Sequence, residues 1–477
     1  MHLERKKRGL AQINRIPLSW IPIRLKRNNA RPEAQSKNTI AALDGVRAIA
    51  ALLVVSLHIS ETAGVPWDVN QNPVATAFAF FGRTGVVLFF VLSGFLLFMP
   101  YARALLFQEA WPSARTFYLR RMFRIWPGYY FTLAVMILLF SHKYLQPAHW
   151  PELGLFLTFF MDSSQQTWQQ IDGPFWTLAT EWQFYMLLPL IALSFSLVVK
   201  RIAPSPQQRL KAVLFCCAGA IAWGLFIRGF GLFYQRHPSI HVLIPHVVLN
   251  IILFFTFGIQ GKYLEVFALG MGVSALYIFA QHPEAGSLLK ARLRRLSDWT
   301  WMAGLLVLVF IALWQVQAET DRNAMPNFTA FGFFQPFRSF YAWIGEPLAG
   351  TGFALCILAI LFGSPALKWL FETPFLRWIG MLSYGLYMWH LNLLLSFNSW
   401  IAPHLSGIGG AFSKDVALWG CVFLVIIPLC YLFYRTIEAP GIRLGVRMIR
   451  NINSPRSQTD GQRSSSRAFL ARFFHSL

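Results

Sequence analysis

Residues 43–60, LDGVRAIAALLVVSLHIS, restrict what this chain can fold into more than any other stretch. The run is almost wholly apolar and long enough to cross a bilayer as one helix. It carries Asp44 and Arg47 at one end and His58 near the other. Arg47 and His58 are eleven residues apart. At helical pitch this returns both side chains to within about 20° of one face, about 16 Å apart along the axis. One face thus presents a cation at one membrane surface and a titratable imidazole deep in the span. Ionisable groups inside a bilayer are costly and face protein or water. Two readings stand: a functional pair, or a snorkelling arginine and a histidine satisfied inside a bundle.

The same apolar character runs through all 477 residues, 56% hydrophobic and 16% aromatic with only 13% charged. A soluble protein of this size carries more charge, so the composition reads as a polytopic membrane protein. The net charge of +22 sits between apolar runs and in the two tails. That pattern sets topology and meets anionic headgroups, and it argues against nucleic acid as a partner. All five cysteines fall inside apolar runs, so neither a disulfide framework nor a CxxC metal site is expected. Residues 1–39 are basic but lack the core and cleavage site of a signal peptide. They read as a cytoplasmic tail with an interfacial segment around 16–23.

Spans are expected at about 41–60, 82–100, 125–141, 177–199, 210–229, 263–281, 300–317, 343–363, 379–397 and 416–437. The third opens on Ile-Trp-Pro, with proline in the first turn, where its missing donor costs nothing. The apolar pieces 153–160 and 245–258 are too short to cross and read as interfacial or re-entrant. The loop holding Lys290, Arg292, Arg294 and Arg295 is strongly basic and belongs in the cytoplasm. The expected fold is an all-α bundle of about ten spans with both termini cytoplasmic, in the inner or plasma membrane. Its parts are the tail 1–39, a transmembrane domain 40–440 and a basic, disordered cytoplasmic tail 441–477.

Several motifs carry candidate chemistry. Arg121 and Arg124 stand at i, i+3 on one helix face, at the same membrane surface as Arg47. Three guanidiniums there can converge on phosphates, or can serve only as a topological anchor. Glu181 and His58 are expected at similar depth, so that the carboxylate orients the imidazole; a simple ion pair inside the bundle is the alternative. Trp176 is placed at the outer surface. Tyr384, Tyr387 and His390 step by three along a wide face, as part of an acceptor site or of an interfacial aromatic belt. Ser93–Gly94 reads as close helix packing rather than a nucleophile. No GxSxG, HExxH or Walker pattern occurs.

Taken in order, LDGVRAIAALLVVSLH, FFVLSGFLL, RRMFRIWP, FWTLATEWQFYMLLP, SYGLYMWH and IEAP resemble the acyltransferase family 3 membrane proteins over about 40–440. The resemblance implies a bundle of about ten helices and transfer of acyl groups, usually acetyl from acetyl-CoA, onto sugars, lipids or small molecules. The family's first-helix arginine and histidine fall on Arg47 and His58, its Arg-x-x-Arg pair on Arg121 and Arg124, and its tryptophan and glutamate on Trp176 and Glu181. Where the family often has a second acidic residue after the glutamate, this chain has Trp182. Some relatives carry a C-terminal extracytoplasmic SGNH-type hydrolase domain, and none is evident here.

The expected activity is O-acyl transfer from cytoplasmic acyl-CoA, bound as a donor substrate rather than a resident cofactor. Arg47, Arg121 and Arg124 meet its phosphates. His58 acts as base or transient acyl carrier, and Glu181 orients it. Trp176, Tyr384, Tyr387 and His390 receive a carbohydrate or glycolipid acceptor from the outer side. One rival is a transporter or flippase of a polysaccharide unit with His58 and Glu181 as a proton relay; no inverted repeat supports it. The other is the second class of membrane acyltransferases with a buried histidine, whose pattern lacks the Arg-x-x-Arg pair.

Overall fold

An apolar run in lipid must satisfy its own backbone, and a helix does this within one segment. The computed structural model describes residues 40–453, apart from 64–76, 78, 203, 241–243, 320–334 and 406–409. The expected tail 1–39 and the stretch 454–477 lie outside the described residues. Among the described residues every regular element is helical. The molecule is an all-α, polytopic membrane bundle.

In chain order the helices are α1 (Ala41–Ala63), α2 (Thr84–Phe107), α3 (Ala114–Phe140), α4 (Trp150–Leu157), α5 (Phe175–Ile202), α6 (Pro206–Arg236), α7 (His246–Thr256) and α8 (Leu264–Ala280). They continue as α9 (Ser287–Arg295), α10 (Ser297–Glu319), α11 (Glu346–Phe362), α12 (Pro365–Glu372), α13 (Pro374–Leu405), α14 (Gly410–Cys421), α15 (Ile427–Phe433) and α16 (Ala439–Asn453). Single π-helical turns, Val422–Ile426 and Tyr434–Glu438, join the last three into one continuous rod. Eight of the described helices are long and apolar enough to cross a bilayer. The two further expected spans correspond to α8, 17 residues long, and α13, 32 residues long. The short pieces expected not to cross form α4 and α7, of 8 and 11 residues.

Helices outrun the apolar cores from which they were read. α3 begins at Ala114, capped by the Ser113 hydroxyl, so Pro127 lies in the helix interior and not in its first turn. The ring of Pro127 instead packs against Gly441 of α16. The charged stretch 114–124, outside the expected spans, is helix because arginine is a good helix former and its long stem carries its charge off the apolar face. The same correction applies at the far end: residues 441–453, assigned to a disordered tail, belong to α16. There Arg443, Arg447 and Arg450 alternate with Leu444, Met448 and Ile449 in a helical period that charge composition alone conceals.

Lipid tails are as apolar as leucine, so helices associate here through close packing, and glycines allow the closest approaches. α2 and α8 run parallel, with Phe90 meeting Tyr263 at 5.0 Å and Phe107 meeting His282 at 4.2 Å between ring centres, and their backbones touch where they cross. A Cβ on Gly94 would lie 2.1 Å from the Phe267 carbonyl oxygen, and one on Gly270 would lie 2.1 Å from that of Val91. α1 and α13 are also parallel: Gly380 meets the backbone of Asp44, and about three to four turns further on His390 meets His58. Between these contacts Ala48, Val55 and Ile59 interleave with Ile379, Leu382 and Leu386 in one buried cluster. Gly94→Ala and Gly380→Ala are therefore expected to destabilise the fold by about 1–3 kcal/mol each, since backbone cannot retreat as a side chain can. Gly219, with no atom within 4 Å of a Cβ, is the control. Thermal unfolding in detergent checks this; equal melting of all three alanine variants would refute the packing argument.

Candidate active site

Five helices line a cleft holding about 850 Å³ of empty space, counting its open mouth. α1 contributes Arg47, α2 Ser93, α3 Arg121 and Arg124, α5 Thr177, Glu181 and Tyr185, and α13 Ser383, Tyr384 and Tyr387. Helical spacing sets each pair: Arg121 and Arg124 at i, i+3, Glu181 and Tyr185 at i, i+4, Tyr384 and Tyr387 at i, i+3. The lining holds three guanidiniums against one carboxylate. Arg47 pairs with Asp44 on its own helix at 3.1 Å. The Arg121 guanidinium lies 5.9 Å from the centre of the Tyr185 ring, and its Nε is buried without a hydrogen-bond partner. Such a cluster of forked donors, with the Arg121 Nε unpaired, is suited to an anion with several oxygens.

Glu181 accepts hydrogen bonds from the hydroxyls of Ser93 and Tyr185. The Tyr384 hydroxyl donates to the Ile125 carbonyl at 2.9 Å, and that of Tyr387 bonds to Thr177 Oγ1 at 2.6 Å. These bonds pin α13 to α3 and α5 around the cleft. Glu438, from the terminal IEAP, approaches Gly385 beside Tyr384.

His58 lies beyond this cleft. Its Nδ1 is 2.8 Å from Glu61 Oε2, one turn further along α1. Its ring centre is 5.2 Å from that of His390. His390 Nδ1 lies 2.9 Å from the carbonyl oxygens of both Leu386 and Tyr387. The Tyr387 ring, 5.9 Å from His390, separates the histidines from the arginine end.

A family model described as an acyltransferase domain matches residues 40–435. The chain belongs to acyltransferase family 3. Similar curated proteins include a provisionally named peptidoglycan O-acetyltransferase of Bacillus subtilis, YrhL, 25% identical over 432 residues that cover 87% of this chain and 57% of the relative. A provisionally named O-acetyltransferase of Staphylococcus aureus strain COL is 23% identical over 447 residues, 86% of this chain and 58% of the relative. The chain thus spans less than two thirds of the length of these relatives. No solved structure matches it.

Six of the nine residues singled out in the sequence, Arg47, Arg121, Arg124, Glu181, Tyr384 and Tyr387, line one cleft. Three do not. His58 and His390 form a separate pair, and Trp176 packs against Trp168 and Tyr263 at ring separations of 5.0 and 5.8 Å. The expected Glu181–His58 contact is not present. Residues 161–174 fold inward over the start of α5, with Thr167 and Asp172 buried there, so depth counted from Trp176 does not bring Glu181 to His58. α5 therefore starts inside the bundle, and Glu181 reaches the level of Ser93. Ser93 lies eight residues, or about 12 Å, along α2 past Gly85, which itself meets Ala50. The carboxylate that does meet His58 is Glu61. Glu61 and Tyr185 were missed, although each sits one helical turn from a residue already chosen, and Ser93 was read as packing. Of Ser93–Gly94, only the glycine serves close packing.

Asp172 anchors this inward loop by accepting from Asn392 Nδ2 at 2.8 Å. Burial pushes its carboxyl well above the ordinary carboxylate range, against the smaller opposing effect of the Asn392 bond. The native state therefore keeps this proton to higher pH than the unfolded chain does, and the stability it contributes falls as pH rises above the usual aspartate value. Asp172→Asn removes the titration and retains an acceptor for Asn392. Its melting temperature relative to wild type should rise between about pH 4 and about pH 8. A difference that stays constant over that interval would contradict the assignment.

Proposed function

We propose that this chain is an integral-membrane O-acyltransferase that moves an acyl group, acetyl in the simplest case, from acyl-CoA on the cytoplasmic side to a hydroxyl of an extracytoplasmic carbohydrate or lipid-linked glycan. The observation that carries this reading is the convergence of Arg47, Arg121 and Arg124 in one cleft with a single carboxylate among its lining residues. Family membership supplies the reaction class. The B. subtilis relative, named for peptidoglycan, favours a carbohydrate acceptor.

Sidedness rests on charge and direction. The basic residues 290–295 and the arginines of α3 fit a cytoplasmic face. Packed helices run parallel or antiparallel as ten alternating passes require: α1 with α13 and α2 with α8 parallel, α1 with α2 and α10 with α11 antiparallel. On this reading the arginine end of α1 is cytoplasmic and the His58 end faces outward.

The donor's phosphates sit on the three guanidiniums, and its arm passes Ser93 and Tyr387 toward His58. There the acceptor hydroxyl gives its proton to His58 as its oxygen attacks the thioester carbon. The carbon–sulfur bond breaks, and the thiolate takes that proton to leave as free CoA. Glu61, not Glu181, orients His58. Glu181 balances charge among the arginines and fixes Ser93 and Tyr185. Trp176 is assigned to the acceptor side through its packing on Trp168, and Tyr384 and Tyr387 to the wall of the passage.

Donor binding and chemistry should be separable. Arg121→Ala and Arg124→Ala each remove a charge-assisted contact of about 1.5–3 kcal/mol, so the Kd of purified protein for acetyl-CoA should rise about 10- to 150-fold. Lysine restores part of this, because it lacks the bidentate fork. Unchanged binding by both alanine variants would reduce the pair to a topological anchor. His58→Gln should leave donor binding intact and lower transfer by about 10²- to 10⁴-fold. Near-normal turnover by that variant would remove His58 from the mechanism.

A further inference from the structure

His390 is fully buried, whereas the His58 side chain is 20% exposed. The two rings stand 5.2 Å apart, tilted by 39°. Their outer partners fix their tautomers. Backbone carbonyls only accept, so His390 Nδ1, shared between Leu386 and Tyr387, carries the hydrogen. A carboxylate likewise only accepts, so Glu61 holds the hydrogen on His58 Nδ1. Each neutral ring is left with its lone pair on Nε2. His390 Nε2 is buried and has no hydrogen-bond partner.

We propose that His390 is the positioning and proton-sharing partner of His58: its Nε2 accepts a hydrogen bond from the His58 imidazolium that forms when His58 takes the acceptor's proton. This deepens the reading of His58 as the base and rests on it. While both rings are neutral, the two lone pairs have nothing to exchange, which is why His390 Nε2 stands alone. One added proton on His58 Nε2 converts the pair into donor and acceptor. A ring-to-ring N–H···N bond places imidazole centres about 5 Å apart, and a small rotation of the partly exposed His58 supplies the alignment. Among the described residues, no other group hydrogen-bonds this nitrogen. The Tyr387 hydroxyl is engaged by Thr177, and Glu61 faces the opposite nitrogen of His58. His390 does not touch substrate, because its free nitrogen is closed to solvent; it acts through His58. The proton returns from His58 to the departing thiolate, so the pair ends each cycle neutral.

The test uses the full chain in detergent, with single-turnover acetyl transfer from acetyl-CoA measured in mixtures of H2O and D2O. In wild type, the transferred proton and the shared hydrogen between the rings both contribute, and the rate falls along a bowed curve with deuterium content. His390→Met, which fills the space but accepts weakly, should keep the donor KM, lower the rate about 10- to 100-fold as for loss of a hydrogen bond to a charged group, and give a straight line. Normal turnover, or reduced turnover with the bow unchanged, would overturn the proposal in favour of simple packing. Absence of transfer by wild type would instead count against the enzymatic reading itself. If His390→Met does not accumulate, ¹⁵N-histidine spectra of wild-type protein decide the matter without turnover: a neutral His390 protonated on Nδ1 is expected, and one protonated on Nε2 overturns the proposal.

Discussion

The parallel contact of α1 with α13 is the constraint from which both ends of the site follow. Gly380 lets the two backbones touch at Asp44, and the shared direction keeps them in step for several turns. Arg47 and Tyr384 consequently line one cleft, while His58 and His390 meet further along the same pair. Had the helices run antiparallel, the imidazoles would lie at opposite ends of the seam. A loop between two such helices cannot be short, since the chain must return across the membrane before repeating the direction. The intervening helices serve that return and carry α2, α3 and α5 to the other walls of the cleft.

Electrostatics then divides the seam into two regimes. At the arginine end, three guanidiniums share space with Glu181, and Glu181 is itself held by two hydroxyls. A guanidinium cannot shed its proton under any ordinary condition, so this end stays cationic and calls for an anion. At the histidine end, every partner is a carbonyl, a carboxylate or a second imidazole. On the proposed reading, that environment holds the proton that His58 takes from the acceptor. Fixed charge suits binding and titratable charge suits proton transfer, and the bundle keeps them about 16 Å apart on one helix.

Much of this was legible in the sequence because periodicity within one helix is reliable. The eleven-residue spacing of Arg47 and His58, the Arg121/Arg124 pair and the Tyr384/Tyr387 step all survive in three dimensions. What failed were statements about relative depth between helices. Charge composition ended α2 and α3 at the hydrocarbon edge, although helices continue into polar surroundings at no backbone cost. Trp176 was taken as a surface marker, but aromatic rings serve equally to pack an inward loop. Counting depth from Trp176 placed Glu181 beside His58 and hid Glu61, which lies one turn from the histidine and needed no tertiary inference at all. Ser93 was hidden differently, since a lone serine beside a packing glycine carries no period to read.

The location of His58 outside the arginine cleft is itself informative about how such a site can work across a membrane. On the proposed reading, a base exposed to the donor pocket would be open to water from its mouth, which favours hydrolysis of the thioester over transfer. Here Phe89 and Tyr387, in edge contact at 5.9 Å, stand between the two regions. Tyr387 is tethered to Thr177, so the barrier is anchored in α5, the same helix that presents Glu181 to the arginines. Occupation of the cleft by an anion would act first on α3 and α5, and α5 holds the tether. On the proposed reading, the donor cleft and the barrier before His58 meet on one helix, α5, which carries both Glu181 and the Tyr387 tether.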